Sequence, residues 1–285
     1  MLYSTVRIET FNPEGHVGLG TGFFLNIPVD EDREIPVLVT NKHVVYDGPR
    51  EANCARLLFH LKDDSGYPVF ESVKLTVTNF TECWIDHPDS EVDLCLMPFA
   101  PIVQQVKSTK DRDLFWIGLS LDRVLTDDAL IDRLSAVEEV FMFDYPIGLW
   151  DDVNNFPIIR RGITASHPGI DFRLKQIGAI DIACFPGSSG APIVHIQEGI
   201  IVDRKTGAVV QGSSSWAFLG ILYGGAQQDP YGMIDVCSIP VDSRPLQVKG
   251  MLPINVGFYI KAKELKVLCG EFERRAEIVF PEIEM

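Results

Sequence analysis

Short apolar runs separated by polar turns recur along the chain from residue 3 to residue 260. The runs are rich in Val, Ile, Phe and Thr, which favours strands over helices. In the first half the predicted strands lie at residues 17–27, 36–40, 55–61, 69–78 and 92–98. In the second half they lie at residues 138–144, 158–166, 178–185, 192–196, 199–202, 208–212, 217–223 and 254–260. This spacing is typical of antiparallel barrels, so the chain is predicted to be all-β.

Two segments break the strand pattern and predict helices. A short helix is indicated after Thr126, whose hydroxyl can cap its first turn. Its inward side chains would be Leu130, Ile131 and Leu134. A second helix is indicated near the C-terminal end, where apolar residues recur at helical spacing. Its apolar face would consist of Ala262, Leu265, Leu268, Phe272 and Ala276.

These patterns divide the chain into four predicted parts. With 285 residues, of which 46% are hydrophobic, the chain can bury two moderate cores. The parts are a first barrel at 1–115, a connector with the short helix at 116–137, a second barrel at 138–260, and a helix with a tail at 261–285.

Charge and cysteine usage limit the partners and the compartment. The chain carries 40 acidic and 25 basic residues, a formal net charge of -15 at pH 7. Because such a surface repels phosphate, neither nucleic acid nor an anionic membrane is expected as a partner. No apolar run approaches the roughly 20 residues that span a bilayer, and the first residues have the pattern of a strand rather than a signal peptide.

The six cysteines are scattered without a C-x-x-C pair, which predicts reduced thiols in a cytoplasmic protein. Secretion would require that a signal peptide has been removed. The histidines are also scattered, without the i, i+4 helical pair that favours zinc. Neither a metal nor another cofactor is therefore expected.

A predicted tight turn at residues 185–192, Phe-Pro-Gly-Ser-Ser-Gly-Ala-Pro, carries candidate chemistry. Gly187 and Gly190 allow backbone conformations that residues with a Cβ avoid. The amides of Gly187, Ser188 and Ser189 can therefore converge on one small space, as an oxyanion hole requires. Ser189 would be the nucleophile beside that space.

A base and an acid that could act with Ser189 lie in the first half. His43 follows the apolar run at 36–40, and Asp93 opens the run at 92–98. A serine hydroxyl needs a general base to attack a carbonyl at neutral pH, and an acid holds the imidazole in the right tautomer. The chain order His, Asp, Ser is one in which serine triads occur. The sequence thus predicts a triad of His43, Asp93 and Ser189.

The residues around this triad make the pattern specific. Residues 20–24, Gly-Thr-Gly-Phe-Phe, and 38–44, Leu-Val-Thr-Asn-Lys-His-Val, resemble the first barrel of trypsin-like peptidases of the HtrA and glutamyl-endopeptidase branch. Residues 187–192 are similar to the nucleophile turn of that family, and residues 220–225, Gly-Ile-Leu-Tyr-Gly-Gly, to the strand that lines its cleft. The resemblance extends over roughly residues 3–262, and no PDZ domain is expected.

The resemblance implies two antiparallel six-stranded β-barrels, as in chymotrypsin, followed by the C-terminal α-helix. It also implies a serine endopeptidase that forms an acyl-enzyme and takes protein or peptide substrates. Ala183 and Cys184 would lie near the floor of the primary pocket. The wall would consist of Leu222, Tyr223, Gly224 and Gly225. Because none of these is charged, cleavage after small or apolar residues is expected. A regulatory or oligomeric partner is left open.

Three alternatives stand beside this hypothesis. An α/β-hydrolase would need its acid and its histidine after the serine, whereas only His195 follows Ser189. Cys184 could be a cysteine nucleophile, although a small apolar residue entering the turn explains it better. The third alternative is a catalytically inactive protease fold that binds peptides or serves as a scaffold. Completeness of the triad argues against it, because loss of catalysis would relax the need for three specific polar residues.

Overall fold

A computed structural model of the 285-residue chain describes residues 1–13, 15–30, 33–46, 54–202, 207–228, 233–234, 246–247 and 252–279. The strands of the first half are β1 Thr5–Asn12, β2 Gly15–Pro28, β3 Glu34–Thr40, β4 Cys54–Lys62, β5 Pro68–Thr78, β6 Ile85–Asp86, β7 Cys95–Pro98, β8 Asp113–Phe115 and β9 Leu119–Ser120. The strands of the second half are β10 Glu139–Asp144, β11 Ile158–Thr164, β12 Ile177–Asp181, β13 Pro192–Val202, β14 Val209–Gln228, β15 Met233–Ile234, β16 Leu246–Gln247 and β17 Leu252–Lys261. The α-helices are α1 Lys42–Val45, α2 Ala100–Lys110, α3 Asp127–Arg133 and α4 Glu264–Val279.

The first half forms an open sheet rather than the closed six-stranded barrel that the sequence predicts. Its nine strands include a main path in the order β5-β4-β1-β2-β3-β7-β6, with β8 added to β4 and β9 to β2. The pairs are antiparallel except β2 with β9, which is parallel. The terminal strand β6 has only two residues, and in the described part of the chain no ladder joins it to β5.

The second half contains a closed barrel of six strands in the order β10-β11-β12-β17-β14-β13. All its pairs are antiparallel, as the sequence predicts for this half. Strand β14 pairs with β13 only as far as Ile221, whereas its pairing with β17 continues to Gln228. Leu222 still bonds to the turn before β13, because its amide donates to the Ala191 carbonyl and its carbonyl accepts from the Gly190 amide. Only the segment after Leu222 therefore has one edge without a partner strand among the described residues.

A core shared by both halves holds them together. It contains Phe23 and Val39 from the first sheet and Phe218 from the barrel, all with 1% or less of their surface exposed. The rings of Phe23 and Phe218 meet edge to face, with centroids 5.4 Å apart. Helix α4 closes this core from outside through Leu265, Leu268 and Phe272. These residues belong to the predicted apolar face, whereas the side chain of Ala276 is outside the described part.

The connector is more structured than its composition indicates. Helix α3 is capped as predicted, since the Thr126 hydroxyl accepts a hydrogen bond from the Ala129 amide at 3.2 Å. Leu130 and Leu134 are buried, but Ile131 is 48% exposed, so its predicted inward position is wrong. Helix α2, which lies before the predicted connector, is not anticipated, although a proline in the first turn is compatible with a helix.

The described residues also bear on the predicted thiols and on membrane spans. The free cysteines of the described part are Cys54, Cys83, Cys95, Cys184 and Cys269, and Cys237 lies outside it. No helix among the described residues combines the length and the apolar content that a membrane span requires.

The shared core yields a test of what joins the halves. Phe218→Ala should lower the free energy of unfolding by about 3–5 kcal/mol, because it opens a cavity beside Phe23. Phe70→Ala is the matched control, since Phe70 is 84% exposed and its loss should change stability by less than about 0.5 kcal/mol. Urea unfolding of both variants measures the difference, and equal effects would contradict a shared core.

Candidate functional site

His43 and Asp93 are brought together by the pairing of β3 with β7. Thr40, at the end of β3, is in register with Cys95, at the start of β7. His43 follows the first strand and Asp93 precedes the second, so both lie at one edge of the sheet. The Nδ1 of His43 is 2.5 Å from Oδ2 of Asp93, and the His43 amide donates to Oδ1 at 3.0 Å. Asp93 therefore holds both the ring and the backbone of His43.

The loop that carries Asp93 is fixed by side chains around α1. The fully buried Asn41 donates from Nδ2 to the Asp93 carbonyl at 2.8 Å. Lys42 donates from Nζ to the carbonyls of His87 at 3.3 Å and Asp89 at 3.1 Å. Tyr223 approaches from β14, where burial and then the charge of Asp93 raise the pKa of its hydroxyl. The loop of Asp93 is therefore held by Asn41 and Lys42, and Tyr223 of the second half lies within reach of the Asp93 charge.

The turn at residues 185–192 depends on two glycines with left-handed backbone. Gly187 has φ 95° and Gly190 has φ 88°. A Cβ on Gly187 would lie 2.4 Å from the Tyr145 carbonyl oxygen, and one on Gly190 would lie 1.9 Å from the Thr21 carbonyl oxygen. Both positions thus require glycine for its conformation and for its lack of a side chain.

Thr21 of β2 anchors this turn to the first half. Its amide donates to the Ser189 carbonyl at 2.8 Å, and its hydroxyl donates to the Gly187 carbonyl at 2.8 Å. The same hydroxyl accepts from the Tyr145 amide at 3.3 Å. The Thr21 carbonyl accepts from the Thr40 hydroxyl at 2.7 Å, three residues before His43. These contacts bring the turn of Ser189 to the sheet edge that carries His43.

The three predicted oxyanion amides differ in their partners. The Ser188 amide donates to the Phe185 carbonyl at 2.9 Å, so it is used within the turn. The amides of Gly187 and Ser189 donate no hydrogen bond within the described part of the chain. Those two amides are therefore the donors that remain for a ligand.

Ser189 itself is half-buried. Among the described residues, no hydrogen bond joins its hydroxyl to His43. Because Nδ1 of His43 faces Asp93, Nε2 is the ring nitrogen left for Ser189. Such contacts are often loose in free enzymes and tighten when substrate binds.

The residues predicted for the primary pocket divide into two groups. Cys184 and Leu222 belong to the barrel core, with 8% and 1% of their surfaces exposed. Cys184 fills the space beside two glycines, since a Cβ on Gly257 would lie 2.5 Å from its Sγ and one on Gly225 would lie 3.1 Å from its Cβ. Burial raises the pKa of the Cys184 thiol to about 12, which disfavours the thiolate that a cysteine nucleophile needs.

The other members of the predicted pocket have accessible surface. Ala183, Tyr223 and Gly224 are half-buried, and Gly225 is exposed. Tyr223, Gly224 and Gly225 lie in the part of β14 that has no partner strand on one side in the described chain, and Ala183 precedes the turn of Ser189.

Sequence reasoning missed the anchoring role of Thr21 and two residues beneath the turn, Asp144 and Arg160. Thr21 lies within the Gly-Thr-Gly motif, which was a usable signal. Nothing in the spacing of Asp144 or Arg160 points to the turn, because their contacts arise from barrel closure. The structure also shows no group of three or more His, Cys, Asp or Glu side chains in its described part that could hold a metal ion.

Comparison with known proteins gives a distant likeness in fold. Among solved structures, the serine endoprotease from Yersinia pestis is similar with a TM-score of 0.44 and 14% sequence identity. The match covers 96% of this chain and 64% of that protein, so the present chain corresponds to less than two thirds of its length. No protein-family model matches the chain, and no curated protein matches it.

The anchoring role of Thr21 can be tested with an isosteric change. Thr21→Val should leave the Gly187 carbonyl and the Tyr145 amide without their partner, at about 1–3 kcal/mol for each buried group. We expect urea unfolding to show a loss of a few kcal/mol. Thr76→Val, at an exposed position of β5, is the control and should change stability little. Similar curves for both variants would contradict the anchoring role.

Proposed function

We propose that this protein is a serine endopeptidase that cleaves protein or peptide substrates through an acyl-enzyme. Its fold would be the two-barrel arrangement of chymotrypsin, with the open first sheet in the place of one barrel. The observation that carries the proposal is the 2.5 Å contact between His43 Nδ1 and Asp93 Oδ2, at the edge to which Thr21 ties the turn of Ser189. The proposal does not depend on the distant likeness in fold to the Yersinia pestis protein.

The proposed chemistry assigns one role to each residue. His43 takes the proton of the Ser189 hydroxyl as its oxygen attacks the carbonyl, and then gives that proton to the leaving amine. Asp93 holds the imidazole tautomer and stabilises the transient imidazolium. A water molecule, activated by the same histidine, then cleaves the acyl-serine ester and restores the hydroxyl. No cofactor takes part in this cycle.

The amides of Gly187 and Ser189 would stabilise the negative oxygen of the tetrahedral intermediate. They suit this role because neither donates elsewhere among the described residues. Ser188 contributes differently, since its amide is used by Phe185 at 2.9 Å. Donors that strengthen only as charge develops act on turnover more than on binding.

The proposed substrate binds as an added strand. Beyond Leu222 one edge of β14 has no partner strand in the described chain, so Tyr223 and Gly224 can pair with an extended peptide. Cys184 and Leu222 lie in the barrel core, so Ala183, Tyr223, Gly224 and Gly225 are the members of the proposed pocket with accessible surface. The nearby cation, Arg160, is neutralised by Asp144 at 3.3 Å. A small or apolar side chain before the cleaved bond fits this environment best.

A second candidate is a catalytically inactive protease fold that binds peptides. The observation that favours it is the missing hydrogen bond between His43 and Ser189 among the described residues. The two candidates share the same cleft but differ in chemistry, and this difference is measurable.

Labelling by a fluorophosphonate separates the two candidates. The wild-type chain should be labelled, Ser189→Ala should not, and the adduct should map to Ser189 by mass spectrometry. Turnover should fall about 10⁶-fold in Ser189→Ala or His43→Ala, without adding when the two are combined. Asp93→Asn should cost about 10⁴-fold through the wrong tautomer. Absence of labelling in a folded wild-type chain would favour the binding module.

The specificity assignment is tested by profiling cleavage of a peptide library. We expect small and apolar residues before the cut, because the pocket residues that the structure describes carry no charge and Arg160 is paired with Asp144. A strong preference for Arg, Lys or Glu would overturn the pocket assignment while leaving the triad intact. Inactive Ser189→Ala, purified in parallel, controls for contaminating proteases.

A further inference from the structure

A buried carboxyl group lies directly beneath the turn of Ser189. Asp144, the last residue of β10, has no exposed surface, and neither has Ser188. The Ser188 hydroxyl donates a hydrogen bond to Oδ2 of Asp144, with 2.5 Å between the two oxygens. Since Ser188 precedes Ser189, this contact holds the turn from inside the barrel.

The second oxygen of Asp144 faces a cation from the next strand. Nε of Arg160, on β11, is 3.3 Å from Oδ1, as an ion pair without good hydrogen-bond alignment. The guanidinium also donates to the Ala183 carbonyl and lies over the Phe185 ring, 4.9 Å from its centroid. Arg160 thus connects Asp144 to the segment that enters the turn.

Hydrogen bonds within the turn leave little freedom for its peptides. The Ser188 hydroxyl accepts from the Phe185 amide at 3.2 Å, while the Ser188 amide donates to the Phe185 carbonyl at 2.9 Å. One face of Ser188 is therefore occupied by Phe185 and the other by Asp144. With both faces fixed, the neighbouring peptides are restrained, and the amides of Gly187 and Ser189 take no part in this network.

We propose that Asp144 is a positioning residue whose carboxylate, through the Ser188 hydroxyl, orients the amides of Gly187 and Ser189 toward the substrate. This inference rests on the proposed hydrolase function and adds Asp144 to the same site as a positioning residue. The negative charge matters because a hydrogen bond to an ionised acceptor is roughly twice as strong as one to a neutral acceptor. A neutral Asp144 would hold the turn more loosely.

The protonation of Asp144 falls in an accessible pH range. Burial raises its pKa to about 6, opposed by the Ser188 hydrogen bond and the charge of Arg160. Arg160 is the cation that faces it, and the Cys184 thiol, whose pKa burial raises to about 12, is neutral there. The positioning effect is therefore present above about pH 6 and lost as pH falls through that value.

The effect of this group on folding has the opposite sign. Its folded pKa lies above the ordinary value of 3.8, so the native state binds the proton more tightly than the unfolded chain. Its contribution to stability is greatest at low pH and declines as pH rises from 3.8 to about 6. If Asp144 had only a structural role, its ionisation above about pH 6 would lower the free energy of unfolding and would not raise turnover.

The test compares wild type with Asp144→Asn across pH 5 to 8. Asn resembles the protonated acid, and every other side chain is the same in both chains, so effects of pH elsewhere in the protein cancel in their ratio. The ratio of kcat/KM should be about 10- to 100-fold at pH 8, mostly in kcat, and approach one near pH 5 with a midpoint at about 6. Asp181→Asn, at an exposed position of β12, is the control and should give a flat ratio near one.

A second readout does not depend on catalysis. In a Ser189→Ala background, the amide NMR signals of Gly187 and of residue 189 should shift with a midpoint near pH 6, and this shift should vanish with Asp144→Asn. Ser188→Ala, which leaves the Asp144–Arg160 pair intact, should also remove it. A flat activity ratio with unshifted amides in an active chain overturns the positioning role alone. Titrating amides in a chain that hydrolyses nothing overturns the proposed function and keeps the positioning role.

Discussion

The contacts of Thr21 are the constraint on which the site depends. One buried side chain and its peptide groups hold the carbonyls of Gly187 and Ser189, the amide of Tyr145 and the hydroxyl of Thr40. Every one of these partners needs a hydrogen bond, because water is excluded around Thr21. The turn therefore has one position relative to β2, and the site is a property of the interface between the halves.

Sequence patterns predict the local structure well where one face of an element decides it. The cap at Thr126 and the stripe through Leu265 and Leu268 each follow from burial of one side of a helix. The order of His43, Asp93 and Ser189 also predicts a triad, of which the structure shows the His43–Asp93 contact and the tie between Thr21 and the Ser189 carbonyl. What sequence could not provide is whether the first sheet closes, since closure depends on pairing between distant strands whose register no local rule sets.

The burial of Cys184 and Leu222 shows the same limit at the site. A strand that is apolar on both faces does not reveal which residue points into the cleft, and both side chains turn into the barrel core. The pairing of Asp144 with Ser188 was equally hidden, because their contact spans 44 residues and forms only once the barrel is closed. The sequence pattern therefore indicates the candidate reactive residues, whereas it does not indicate Asp144 and Arg160, which contact the turn.

Buried polar contacts also tie the C-terminal helix to the loop of Asp93. His87, on that loop, has Nε2 3.2 Å from a carboxylate oxygen of Glu264 in the first turn of α4. Burial lowers the pKa of His87 and raises that of Glu264, so each favours its neutral form. The helix thus covers the shared core through Leu268, and its first residue lies beside the loop that leads to Asp93.

The distance along the chain between Thr21 and Gly187, 166 residues, has a consequence for synthesis. At about 5–20 residues per second, a ribosome exposes the first of these residues roughly 10 to 30 seconds before the second. During that interval β2 can pair with its neighbours, but neither the Gly187 carbonyl that the Thr21 hydroxyl will bind nor Ser189 has yet been made. Because β17 must also arrive to close the barrel, the nascent chain completes its site only among the last steps of folding.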